Sequence, residues 1–286
     1  MKSNELRENL MRVVFLAVAC LSILAVALIC VFLFRSGLGA IGKIGVLDFL
    51  LGKTWKPGND QFGILPMILG SIYVTGGSIL VGVPLGLMAA VFMSHFCPAK
   101  LYRVLKPAID LLAGIPSIVY GFFGLMAIVP LMQDLFGGSG KSMLTASVLL
   151  GIMILPTVIS VSESALRAVP DSYYEGALAL GATHERAVFS TILPAAGSGV
   201  LAAIVLGIGR AIGETMAVIM VAGNQTAMPS GLLKGLRTMT ANIVLEMGYA
   251  TDLHREALFA TGMVLFVFIL LINLALSCLR KKGVKK

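Results

Sequence analysis

Seven stretches of this chain run for a helix length or more without one charged residue: 13–34, 62–94, 111–133, 142–162, 187–209, 215–233 and 257–279. A helix needs about 20 consecutive apolar residues to cross the hydrocarbon core of a bilayer. Inside lipid, backbone N–H and C=O groups must be satisfied within the segment, and runs of this length do so as helices. The charged fraction agrees, at 13% against about 25% in soluble domains. Mean hydropathy is +0.96, and the 32 glycines suit membrane helices that approach closely. The expected fold class is all-α: a polytopic membrane protein forming a single domain over 1–286.

Seven runs need not mean seven spans. The fifth and sixth are separated only by residues 210–214, which include Arg210 and Glu214. A turn there would carry the basic tail (Arg280, Lys281, Lys282, Lys285 and Lys286) to the wrong side, because short Lys/Arg-rich segments stay cytoplasmic. One helix from about 194 to 222 removes the conflict. The expectation is then six spans with both termini cytoplasmic. It comprises an N-terminal helix at about 13–34, an external loop at about 35–65, and core helices over about 66–279 with a cytoplasmic docking loop at about 163–193. Internal segments carry 13 Lys/Arg and external ones 8. The net charge of +8 thus reflects membrane topology rather than nucleic-acid binding. The run at 13–34 is too long for a signal peptide and lacks a clear cleavage site, so a retained helix is expected.

Chemistry concentrates at Arg210. Insertion scales put the cost of a charge at mid-membrane at about 2.5–3.5 kcal/mol, and such residues usually face a polar path. Glu214 lies one turn later, so an i,i+4 pair is available in a continuous helix. Two readings stand: the pair neutralises itself, or Arg210 lines an anion path while Glu214 holds it or tempers its affinity. Gly207, Gly209 and Gly213 leave room beside the arginine, and Thr215 and Asn224 add hydrogen-bonding groups. Ser117 follows a break at Gly114-Ile115-Pro116, of the kind tolerated where neighbours or a cavity satisfy the freed backbone.

Other signals point away from catalysis. Cys20, Cys30, Cys97 and Cys278 are dispersed without metal or redox spacing. His95, His184 and His254 are far apart in sequence and read as solvated loop residues. The run Gly137-Gly138-Ser139-Gly140-Lys141-Ser142 ends like a phosphate-binding loop, yet Leu135 stands where its first glycine belongs. No catalytic constellation or cofactor site is expected. The turn-rich Trp55-Lys56-Pro57-Gly58-Asn59-Asp60 is expected at the outer surface.

Two groups of residues carry a family resemblance. Glu175-Gly176-Ala177, then Gly181 and Ala182, then Leu193-Pro194, resemble the cytoplasmic signature loop of ABC importer permeases; Gly176 replaces its middle alanine and Thr191 its isoleucine. Residues 209–218 (GRAIGETMAV) and 114–121 (GIPSIVYG) are similar to span motifs of phosphate importer permeases of the PstC type. The resemblance implies a type I ABC importer permease that carries inorganic phosphate beside a homologous PstA-type permease. Two ATPase subunits would dock inside and use the ATP, and a phosphate-binding protein would dock outside. Another oxyanion such as molybdate or sulfate, or a secondary transporter or channel, are the competing readings. The docking loop and the lack of inverted repeats argue against the last two.

Overall fold

The computed structural model describes the backbone of residues 2–283 and the side-chain surroundings of residues 7–275. Lys285 and Lys286 fall outside the described residues, as do the side chains of Cys278, Arg280, Lys281 and Lys282.

Helix α1 runs from Lys2 to Ile44, 43 residues. At about 1.5 Å per residue it is roughly 65 Å long, twice the hydrocarbon thickness. Residues 7–29 are exposed throughout. The helix runs ten residues past the expected boundary at 34. Arg35 and the glycines after it read as a loop, but the small residues serve contact instead. A Cβ on Gly37 would sit 3.1 Å from Ala260 Cα, so glycine lets α1 close on the last helix. Gly45, at φ 98, ends it.

A short α2 (Val46–Leu51) leads to a two-residue hairpin, β1 (Trp55–Lys56) and β2 (Gln61–Phe62), in which Trp55 pairs with Phe62. Pro57–Asn59 form its turn and Asp60 adopts φ 54. Then come α3 (Leu65–Val91), which continues through a π-helical turn to Phe96, and α4 (Ala99–Ala113). Pro116 stops α4 from continuing, since the residue before a proline avoids helical backbone. Past it lie α5 (Ser117–Phe123), a π-helical turn (Gly124–Ile128) and α6 (Val129–Phe136). The glycine-rich loop that ends at Ser142 is a helix cap: Ser142 Oγ accepts from Thr145 N and starts α7 (Met143–Arg167).

After α7 the chain forms α8 (Asp171–Ala179), α9 (His184–Ala187), a third π-helical turn (Val188–Ile192) and α10 (Leu193–Ala195). It then forms α11 (Gly197–Gly213), α12 (Met216–Val221), α13 (Met239–Met247) and α14 (Asp252–Gly283).

Among the described residues, five helices are long and apolar enough to cross a bilayer: Arg7–Ile44, Leu65–Phe96, Ser117–Phe136, Met143–Arg167 and Asp252–Ala275. The pair His184–Ala195 and Gly197–Gly213, bent by 69°, makes a sixth. The polytopic all-α reading stands, with a correction at the fifth span. The expected unbroken helix from 194 to 222 bends after Ala195 and breaks at Glu214 and Thr215, where ψ 132 and then φ −124 leave helical geometry.

At the centre α3 packs along α7. A Cβ on Gly82 would come within 2.6 Å of Ile154 Cγ1, so that seam requires glycine. Ile154, Val158 and Leu149 of α7 share a core with Val74 of α3, Ala211 of α11 and Val218 and Val221 of α12. A second apolar cluster joins α1, α2, the hairpin, α13 and α14 at one end of the bundle. A third gathers Ala90, Val91, Leu166, Val188 and Ile192 at the other end, beside α8.

Candidate functional site

The break after α11 determines what Arg210 and Glu214 can do. Arg210 is in the last turn of α11. Its Nε is buried and has no hydrogen-bond partner among the described residues. Among the described residues, Glu214 does not pair with it. With the helix broken, the i,i+4 geometry expected from sequence is lost. The Glu214 carboxylate turns forward instead: Oε1 accepts from Thr215 N at 3.0 Å, at the N-cap of α12, and from Ala217 N at 3.2 Å in its first turn. It therefore caps α12 by side chain and charge. The self-neutralising pair is thus absent among the described residues.

The other residues expected on the path divide. Thr215 Oγ1 donates to Gly213 O at 3.2 Å, which helps fix the break. Asn224, at φ 53, donates from Nδ2 to Ile219 O at 2.7 Å, while its Oδ1 is buried without a partner. Ser117 is the first residue of α5. That helix lies directly against α12: a Cβ on Gly121 would meet Ala217 Cα at 2.9 Å. The third-span and fifth-span motifs therefore meet at Gly121 and Ala217, just past the break.

The residues expected to couple lie on and after α8. Glu175 and Gly176 are exposed and Ala177 is half-buried. Gly181 has φ +85, a conformation that costs an L-residue roughly 1–2 kcal/mol, and nothing lies within 4 Å of a Cβ built on it. Glycine is required there by backbone shape alone, since the space beside it is open. Ala182 N donates to Ala177 O, and Leu193-Pro194 open α10 at the foot of the fifth span. Sequence reading missed the apolar side of this element: Leu180 is 92% exposed and Tyr173 51%. Contiguous exposed apolar side chains mark contact surfaces.

The model of the family "Binding-protein-dependent transport system inner membrane component" matches residues 82–282. This chain belongs to that family. The permease is 39% identical to the probable ABC transporter permease protein YqgH of Bacillus subtilis, over 95% of this chain and 92% of that protein. It is 34% identical to the phosphate transport system permease protein PstC of Mesorhizobium japonicum, over 90% of this chain and 84% of that one. Among solved structures, a methionine ABC transporter chain in an inward-facing form matches with a TM-score of 0.64 at 20% identity. The match covers 80% of the permease and 99% of that chain. It shows the type I importer permease fold. The permease is therefore an inner-membrane component of a transport system.

Two buried carboxylates of the permease went unnoticed in the sequence. Glu246 accepts from Trp55 Nε1 at 2.8 Å and from the Arg237 guanidinium, and pairs with His254 Nε2 at 2.8 Å. Glu163, at the α8 end of the bundle, binds Arg167, Lys106 and the Tyr102 hydroxyl. Burial and then the Glu163 carboxylate push the Tyr102 phenol above its usual range. These contacts correct two expectations. Trp55 is 3% exposed rather than a surface turn residue. His254 and His184 are held by Glu246 and by the Tyr174 hydroxyl rather than free in solvent. Thr238 caps α13 through Ala241 N, and this cap before an apolar run was the signal available.

Proposed function

We propose that the permease forms the translocation path of an ATP-driven importer of inorganic phosphate. The carrying observation is Arg210: a guanidinium in a membrane span, with a buried Nε free of protein partners and its nearest acidic neighbour committed to capping α12. A planar fork of N–H donors matches phosphate oxygens two at a time. A single such group binds weakly enough to let the anion leave. The relatives named for phosphate transport agree with this chemistry.

In this reading Arg210 meets the anion, Glu214 fixes the break that presents it, and Ser117, Thr215 and Asn224 border the path. A homologous PstA-type permease supplies the facing half. Two separate ATPase subunits hydrolyse ATP and receive α8, with Glu175, Gly176, Ala177, Gly181 and Ala182 against their surface. A phosphate-binding protein delivers the anion to the hairpin end. Both termini are cytoplasmic, the hairpin faces outward, and lipid covers the remaining apolar surface. The permease itself binds no cofactor.

The test is uptake of radiolabelled phosphate by the reconstituted complex, with molybdate and sulfate as competitors. We expect phosphate to be carried and neither competitor to displace it at equal concentration. Preferential uptake of molybdate or sulfate would replace the phosphate assignment.

A further inference from the structure

Helix α13 ties two distant features together. Near its end, Glu246 holds the hairpin through Trp55 Nε1 and the start of α14 through His254. Near its beginning, Thr240 Oγ1 donates to the Glu214 carbonyl at 3.0 Å, at the break that presents Arg210. The two anchors are six residues apart on one helix, about 9 Å along its axis. A second route runs beside it. The Arg237 guanidinium that binds Glu246 also donates from Nε to Asn224 O at 3.0 Å, and Asn224 Nδ2 donates to Ile219 O in α12.

Both routes meet at one carboxylate, with a side chain only 8% exposed. Burying an ion cluster is a poor way to add stability, since well-packed apolar residues do as well. Directional charge-assisted bonds, however, fix register between elements. A shift of the hairpin must move Trp55, and with it Glu246, α13 and the Glu214 carbonyl.

We infer that Glu246 is a positioning residue for transport: it locks the hairpin to the break at Glu214, so that a partner seated on the hairpin moves the segment carrying Arg210. The inference rests on the importer reading, and names the part of the permease that registers arrival of the loaded binding protein.

The test uses the whole reconstituted complex and compares Glu246→Gln with Trp55→Phe, which keeps an aromatic ring and removes only the N–H donor. ATP hydrolysis is measured per assembled complex, with and without phosphate-loaded binding protein. We expect both variants to keep the basal rate and to lose stimulation roughly tenfold. Wild-type stimulation in both would overturn the positioning role. Where Glu246→Gln assembles poorly, Trp55→Phe decides by itself. Trp55 is the single tryptophan of the chain, so fluorotryptophan in this subunit alone gives a fluorine resonance that reports on it. That resonance should shift when loaded binding protein docks; a purely structural Glu246 would leave it in place. If the wild type responds to sulfate- or molybdate-loaded protein instead, the phosphate reading fails alone, and the variants are scored on that stimulation.

Discussion

Arg210, half-buried with a buried Nε, and the buried Glu246 are charges treated in opposite ways by the same chain. Glu246 is surrounded by donors, with Trp55, Arg237 and His254 all bonded to its two oxygens. Arg210 has an acidic residue four positions away, yet the helix breaks so that Glu214 faces α12, and Arg210 Nε is left unpaired. A fold selected only for stability would pair both, because an unsatisfied buried polar group costs about 1–3 kcal/mol and more when charged. Paired charges hold elements together. A charge kept from its neighbour is available to something that passes.

The largest effect should come from breaking the satisfied cluster. Glu246→Ala leaves Arg237 buried without its carboxylate, and we expect a loss of about 3–5 kcal/mol, seen as poor assembly in the membrane. Normal assembly and thermal stability of that variant would mean the cluster is not the anchor its geometry suggests. Next, Arg210→Lys keeps the charge and loses the fork. Uptake per assembled complex should drop roughly 100-fold, as when one oriented donor is lost from a charge-stabilising site, with assembly unchanged. Destabilisation comparable to Glu246→Ala would erase the contrast between the two sites.

Much of this architecture was legible beforehand. The charge-free runs gave the spans, and Asp171 through Gly181 gave α8, because these are local signals of hydropathy and helix ends. The fifth span was misread for a physical reason. Residues 194–222 contain no proline after Pro194 and have an apolar pattern that fits one helix, so the local signal at Gly213-Glu214-Thr215 was too weak to announce the break. The break depends on tertiary contacts, including the bond from Thr240 to the Glu214 carbonyl, 26 residues away. Glu246 was hidden likewise: its donors come from positions 55, 237 and 254. The loop at 35–65 misled in the opposite sense, since Gly37 after Arg35 lets α1 pack on α14.

Smaller effects refine the comparison. Glu214→Gln keeps an acceptor for Thr215 N and Ala217 N but removes the charge, so α12 should lose about 0.5–1 kcal/mol of capping. Uptake should fall only several-fold; complete loss would mean that the Glu214 charge itself acts in the path. Smallest is Lys43→Ala. Its 2.7 Å pair with Glu256 is exposed on both sides, 59% and 38%, and such pairs contribute about 0–1 kcal/mol. A thermal shift as large as that of Glu246→Ala would show that exposure does not separate the two classes of charge.

The most direct measurement is radiolabelled phosphate uptake by the double variant Arg210→Leu with Glu214→Leu, normalised to assembled complex in the membrane. Removing both charges leaves none unpaired at the break and costs α12 only its Glu214 cap, so residues that served the fold alone would let uptake survive. We expect the complex to assemble and uptake to fall to background. Near-normal uptake would show that the unpaired arginine is not where the anion passes.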